Sequence, residues 1–353
     1  MSVLRFATFC LLAVVSNLTA VNADEQARAK PNPLFSDNSL LEITITAPIT
    51  TIMRERSNEE YLMGQLTYED EESGAVVLDV GIRARGRFRR DRDVCRFTPL
   101  RLNFKKEKTK KTLFTRTDKI KLVTHCRDKS ERYSQGVLRE YLAYRILNTM
   151  TDKSFRVRLL QVRYVDSESK SGDRVEFGFL IEPDKTLAKR LGMKVLDIGG
   201  TSIQALDAHH ANLTSVFQYL IGNTDFSPIR GAEGEPCCHN HILMGGETGD
   251  LLSVPYDFDM SGFVNAAYAV PNERFRIRSV RSRLYRGRCV NNEHLDNTLQ
   301  AYQDRKQDIY QLVNGLEHLT ANTRKQLIRY IDEFYATVDG PKQLDSRLRN
   351  RCI

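Results

Sequence analysis

Residues 213–263 read LTSVFQYLIGNTDFSPIRGAEGEPCCHNHILMGGETGDLLSVPYDFDMSGF. An apolar helical run stops at Gly222 and gives way to a polar tip, Asn223-Thr224-Asp225. A second polar point follows at His239-Asn240-His241, and a short hydrophobic strand then delivers Asp257 and Asp259. Carboxylates and an amide at the ends of apolar elements are what a divalent cation bound to phosphate requires. Each piece also has a plainer use, because Asn-Thr-Asp after a helix makes a common turn and Asp-Phe-Asp after a strand can cap the next segment.

Upstream of this stretch, the first residues of the 353-residue chain have the layout of a secretory signal peptide. Arg5 supplies a positive charge, residues 6–15 are apolar apart from Thr8 and Cys10, and Val21-Asn22-Ala23 offers a cleavage point before Asp24. A secreted or periplasmic product beginning after residue 23 is expected, with residues 24–39, containing Pro31 and Pro33, as a flexible leader. No later apolar run approaches membrane length, so stable membrane insertion is not expected. Beyond Cys10 the cysteines are Cys95, Cys126, Cys237, Cys238, Cys289 and Cys352. An even number behind an export signal predicts disulfides. Cys95 with Cys126 is the economical first pairing because both flank predicted strands, while Cys237-Cys238 stays open to free thiols or a metal.

The formal net charge is +8, and basic runs occupy residues 83–92 and 105–121. Such a surface suits an anionic partner, for example an acidic protein or an anionic envelope component. Nucleic acid is not expected, since Phe88 is the sole aromatic among those arginines. Residues 274–288 carry a further series of arginines that reads either as a surface for an acidic substrate or as an ordinary basic loop.

Alternation of apolar and polar residues predicts strands over 40–46, 62–68, 76–85, 97–104, 119–123, 158–165 and 175–182. One helix interrupts them at 134–147, with Val137, Leu138, Tyr141, Leu142 and Ile146 as its apolar stripe and Glu140 at the stripe's edge. Pro183 stops the last strand, and helices prevail afterwards, over 207–221, 295–316 and a final segment capped by Thr320 and ended by Asp339-Gly340-Pro341. The fold class expected is α+β: a strand-rich part over 40–183 with one helix and a mainly helical part over 184–353. Asn212-Leu213-Thr214 is a glycosylation sequon by pattern.

The order of a strand-rich part with one helix, a Glu-Pro hinge, Asn-Thr-Asp after a helix, then Asn240 and Pro-Tyr-Asp-Phe-Asp resembles the spore coat protein H kinase family. The resemblance covers roughly residues 62–263. It implies a bilobal protein-kinase-like fold that uses ATP and Mg2+ to phosphorylate a Ser or Thr hydroxyl on a protein substrate. By that resemblance Asp225 matches the catalytic-loop acid, while Asn240 and Asp257 match metal-holding groups and Asp259 is either a further metal ligand or a turn cap. Glu140 matches the carboxylate that pairs with a nucleotide-positioning cation, and Arg83, Arg85 and Arg87 match an Arg-Gly loop near the phosphates. Arg101 stands where the family often has lysine, a substitution that changes reach and fork geometry. Two other readings of the same residues are a non-catalytic envelope-associated binding or structural protein and a metal-dependent hydrolase with His239 and His241 as added ligands.

Overall fold

The structure is a computed structural model that describes residues 32–232, 235–247 and 249–353. The expected signal peptide and the first part of the leader lie outside the described residues. The later part of the leader forms a short turn, Pro33–Phe35, that buries Leu34 and Phe35.

In chain order the first elements are β1 (Leu41–Ala47), α1 (Ile49–Glu55), β2 (Leu62–Asp70), β3 (Gly74–Ala84), β4 (Leu100–Phe104), β5 (Lys119–Val123), α2 (Glu131–Met150), β6 (Val157–Asp166) and β7 (Arg174–Ile181). The alternating apolar residues do what their period of two dictates. Leu41, Ile43, Ile45 and Ala47 of β1 turn inward with Leu66, Val80, Ile82, Leu100, Leu102, Leu122, Leu160 and Val162 to form one buried cluster.

The seven strands close into a barrel in the order β1-β2-β3-β4-β5-β7-β6. This corrects the expected open, bilobal kinase-like architecture. The closing element is β1, which pairs antiparallel with β2 and parallel with β6, from Leu41 opposite Leu160 to Ala47 opposite Asp166. Alternation declares which face of a strand is buried but not which strands are neighbours, and the closing pair is separated by more than a hundred residues.

Asp166 locks that seam. Its carboxylate accepts hydrogen bonds from Thr50 Oγ1 at 2.6 Å, Lys170 N at 3.1 Å and Ser171 N at 3.0 Å, so the end of β6 holds the start of α1. Burial alone would raise this carboxyl, but the hydrogen bonds, led by those from Thr50, bring it down to about 2.

The remaining elements are α3 (Asp184–Arg190), β8 (Lys194–Val195), α4 (Ala208–Ile221), β9 (His241–Gly245), β10 (Leu252–Pro255), α5 (Leu295–Asp304), α6 (Lys306–Gly315), α7 (Ala321–Asp339) and α8 (Pro341–Arg347). The three short strands form a separate sheet in the order β10-β9-β8. Helix α2 packs Val137, Leu138, Tyr141 and Leu142 into the same core as Phe217 and Leu220 of α4, Tyr302 of α5 and Phe334 of α7. It is thereby the shared wall between the barrel and the mostly helical C-terminal part. Cys95 bridges Cys126, Cys289 bridges Cys352, and Cys237 bridges its neighbour Cys238. Among the described residues no helix is long and apolar enough to cross a membrane.

Asp166→Ala should cost about 3 kcal/mol, the scale for losing hydrogen bonds to a buried charged group, read as a lowered urea midpoint. Because the folded carboxyl sits near 2 against an ordinary 3.8, the native contribution is complete above 3.8 and fades as pH falls toward 2. The difference between the two proteins should therefore shrink over that acid window.

Candidate functional site

A cleft of about 530 Å³ opens where the end of β3, helix α2 and the loops around β9 and β10 converge. Arg85, Arg87, Glu140, Asp225, Asn240, Asp257 and Asp259, all singled out from the sequence, line it together with Arg89, His239 and Tyr256.

The Asp225 corner is built by the end of α4. Gly222 takes the left-handed conformation that terminates the helix (φ 62°). Asn223 Oδ1 then accepts from Asp225 N at 2.9 Å and fixes the turn. The segment carrying His239 and Asn240 folds back on this turn through a bridge between Ser227 and His239. His239 Nε2 lies 2.8 Å from Asp225 Oδ1, and Asn240 Nδ2 donates to Asp225 O at 2.6 Å and to Oδ2 at 3.1 Å. The hydrogen bond to Asp225 raises the His239 imidazole above its ordinary value, against the opposing effect of burial.

The opposite wall comes from β10 and α2. Asp257 has φ 61°, and its N–H donates to the Tyr144 hydroxyl of α2 at 2.8 Å. One α2 turn before Tyr144, the Glu140 side chain faces the cleft. Glu140 is 3% exposed, and its carboxylate makes no hydrogen bond or ion pair among the described residues. Burial, then the charges of Asp259 and Asp257, raise it well above the usual carboxylate range, with Arg89 and Arg85 opposing. Asp259 is likewise pushed up to about 7 by burial and by Asp257, although Arg89 and a 3.0 Å hydrogen bond from Tyr268 favour its ionised form. Burial works against the charge on Arg89, but Tyr268, Asp259, Glu140 and Asp257 hold it on.

Three basic residues take places that the strand register sets. Arg83 and Arg101 face each other across β3 and β4, and Arg101 faces Lys121 across β4 and β5, so the three share the outer barrel face. Arg83 lies over the Tyr61 ring and donates to the Asn58 and Ala84 carbonyls, and neither it nor Arg101 lines the cleft. Lys121 Nζ bonds Asp184 Oδ1 at 3.0 Å and sits over the Tyr256 ring at the cleft edge. The expected nucleotide-positioning ion pair of Glu140 is therefore not formed. Sequence reading overlooked Lys121, Arg89 and Tyr268, although the alternation of β5 already placed Lys121 opposite Ile120, on the polar side.

His239 and His241 do not act together. Asn240 has φ 53°, which breaks the strand period between them. His239 enters the cleft, whereas His241 is buried, stacks on Phe226, and approaches Ser253 Oγ at 3.1 Å. Burial brings His241 down to about 3 and His210 down to about 4. Asn212, the sequon residue, is also buried, with Nδ2 donating to Asn291 O at 3.0 Å, so it offers no surface for a glycan. Among the described residues, the one group of three His, Cys, Asp or Glu residues whose ligating atoms all lie within 4.8 Å of one another is His125, Asp128 and Glu176. The cleft carboxylates stand further apart.

No family model matches the chain, and no curated protein does. The expectation of an ATP-dependent, magnesium-using protein kinase is corrected along with its architecture. The strands close into a barrel, and the compact His/Asp/Glu group lies away from the residues assigned to phosphoryl transfer. A metal-binding or structural role accords better with both findings.

Asp225→Asn should return the His239 titration, followed by the NMR shift of its ring proton, downward toward the ordinary 6.5. A raised folded value means that the pair's stabilisation is complete below 6.5 and is lost as pH rises through the folded value. The variant should accordingly lose more stability at mildly acid than at alkaline pH.

Proposed function

We propose that this chain is an exported, non-catalytic binding protein that takes up a phosphate-bearing anion together with a hard divalent cation in the cleft. The observation that carries this reading is Glu140, a buried carboxyl that faces the cleft beside two further carboxylates and is raised well above the usual range by burial and by their charges. Ionising a buried carboxyl costs several kcal/mol, so the proton is retained until another cation takes its place. A divalent cation removes that cost at the point where the protein's own cations run short.

Asp257, Asp259 and Glu140 line one cleft without forming a compact group of three ligands. That suits a hard cation, which keeps several waters and fills its remaining positions with phosphate oxygens. Arg85 at the rim then meets the anion, and a guanidinium fork fits phosphate well. Asn240 is committed to Asp225 through its amide nitrogen, which leaves its oxygen for a water of the cation. Export to an oxidising compartment is supported by the Cys95–Cys126 and Cys289–Cys352 bridges and by the signal-like residues 1–23. An anionic envelope component is the partner that this location and charge favour.

Mn2+ binding by the disulfide-bonded protein, followed by electron paramagnetic resonance with and without pyrophosphate, tests the proposal. Glu140→Gln and Asp257→Asn should each weaken Mn2+ at least roughly tenfold, the scale for perturbing a metal site. Arg85→Ala should weaken pyrophosphate while sparing Mn2+ alone. Pyrophosphate bound equally well by Asp257→Asn, or no Mn2+ bound at millimolar concentration, would overturn it.

A further inference from the structure

We infer that His125, Asp128 and Glu176 form a second metal site, separate from the cleft, that takes a zinc-class divalent transition metal. Register sets its location. Glu176 of β7 lies opposite Val162 and Arg174 opposite Tyr164, and both β6 residues point into the barrel core. Directly paired residues of antiparallel strands share a face, so Glu176 is delivered to the inner rim at one end of the barrel. His125, just past β5, is fully buried there, with its ring 4.5 Å from Phe97 and 6.0 Å from Tyr164 between centroids.

The donor set has the right chemistry. An imidazole nitrogen with two carboxylate oxygens is a common borderline-metal environment, and water fills the fourth position. Both Asp128 oxygens are engaged, one by Arg174 and one by the His125 ring that an ion would take over, while one Glu176 oxygen is held by a backbone amide. Asp128 Oδ2 takes Arg174 Nη1 at 2.8 Å while Oδ1 faces His125 Nε2 at 2.6 Å. Glu176 Oε1 accepts from Lys129 N at 2.8 Å. Contacts of this kind orient the ligands of a metal centre from behind.

A second observation concerns the wall of this corner. The Tyr164 hydroxyl is buried and without a hydrogen-bond partner. Tyr164 is 1% exposed, and the charges of Glu176 and Asp128 reach its phenol. A metal-bound water is the kind of group that such a leftover hydroxyl needs.

Admitting the ion requires little movement. Tetrahedral ligands at zinc distances lie about 3.3 Å apart, so the 2.6 Å contact between His125 and Asp128 must open by a fraction of an ångström. His125 and Glu176 are fixed by packing and by the sheet. Asp128 is exposed, on a turn in which Cys126 and Lys129 adopt φ 69° and 54°, and is the ligand free to adjust.

The test uses the whole disulfide-bonded protein, stripped with chelator and titrated with Zn2+ by calorimetry and with Co2+ by visible absorption. One equivalent should bind with a Co2+ spectrum characteristic of nitrogen and oxygen ligands. Glu176→Gln should weaken that equivalent by roughly a hundredfold, and His125→Gln should abolish the spectrum. Glu140→Gln, which disables the cleft, should leave it in place, so failure of the cleft reading and failure of this one are distinguishable. Should His125→Gln fail to fold, Glu176→Gln at the rim decides alone. Zn2+ binding unchanged in Glu176→Gln, lost in Glu140→Gln, or absent from the unmodified protein overturns the inference.

Discussion

Everything in this molecule depends on the parallel contact between β1 and β6. A parallel pair needs a long crossover connection, and here that connection consists of α1, four further strands and α2. Closing the seam therefore fixes where α2 runs, against the barrel on one side and the helical core on the other. Helix α2 in turn fixes the cleft, since Glu140 forms part of its wall and the Tyr144 hydroxyl receives the Asp257 amide. The cleft is downstream of barrel closure, not an independent feature of a loop.

The electrostatics of the cleft have a definite sign. Glu140, Asp257 and Asp259 share one buried guanidinium, that of Arg89, while Arg87 at the rim is already paired with Glu235. Surface ion pairs contribute roughly 1 kcal/mol or less, whereas an uncompensated buried carboxylate costs several. The raised titration of Glu140 and Asp259 relieves part of that cost by protonation. Barrel packing and the Tyr144–Asp257 contact hold the acids together despite it, which is how a binding site differs from a satisfied core.

Local physics was legible in the sequence, and distant pairing was not. Period-two alternation located all seven barrel strands, Asp207 and Gly222 bounded α4, and the Cys95–Cys126 bridge followed from two strand-flanking thiols. Helix α1 carries no helical signal in the sequence because it buries just Ile49 and Ile52, too few positions to register as a stripe. Barrel closure escaped because nothing in the alternation of β1 says that its second neighbour is β6. The likeness to kinases rested on residues that do converge on one cleft, but convergence is shared by any acidic site. His125, Asp128 and Glu176 gave no signal at all, since the loop after β5 and the start of β7 become neighbours through the sheet alone.

The two sites proposed here are nonetheless mechanically related. Strand β7 runs from Glu176 at the corner to Ile181, which lies opposite Lys121 at the cleft edge. At about 3.3 Å per residue that is roughly 17 Å. Helix α2 begins directly after the turn that carries Asp128, and Glu140 lies nine residues into it, about 14 Å along the axis at 1.5 Å per residue. Strand and helix each lead from the corner to the cleft over a similar length. Tyr141 and Tyr144 of α2 pack on Phe179 of β7, which joins the two elements.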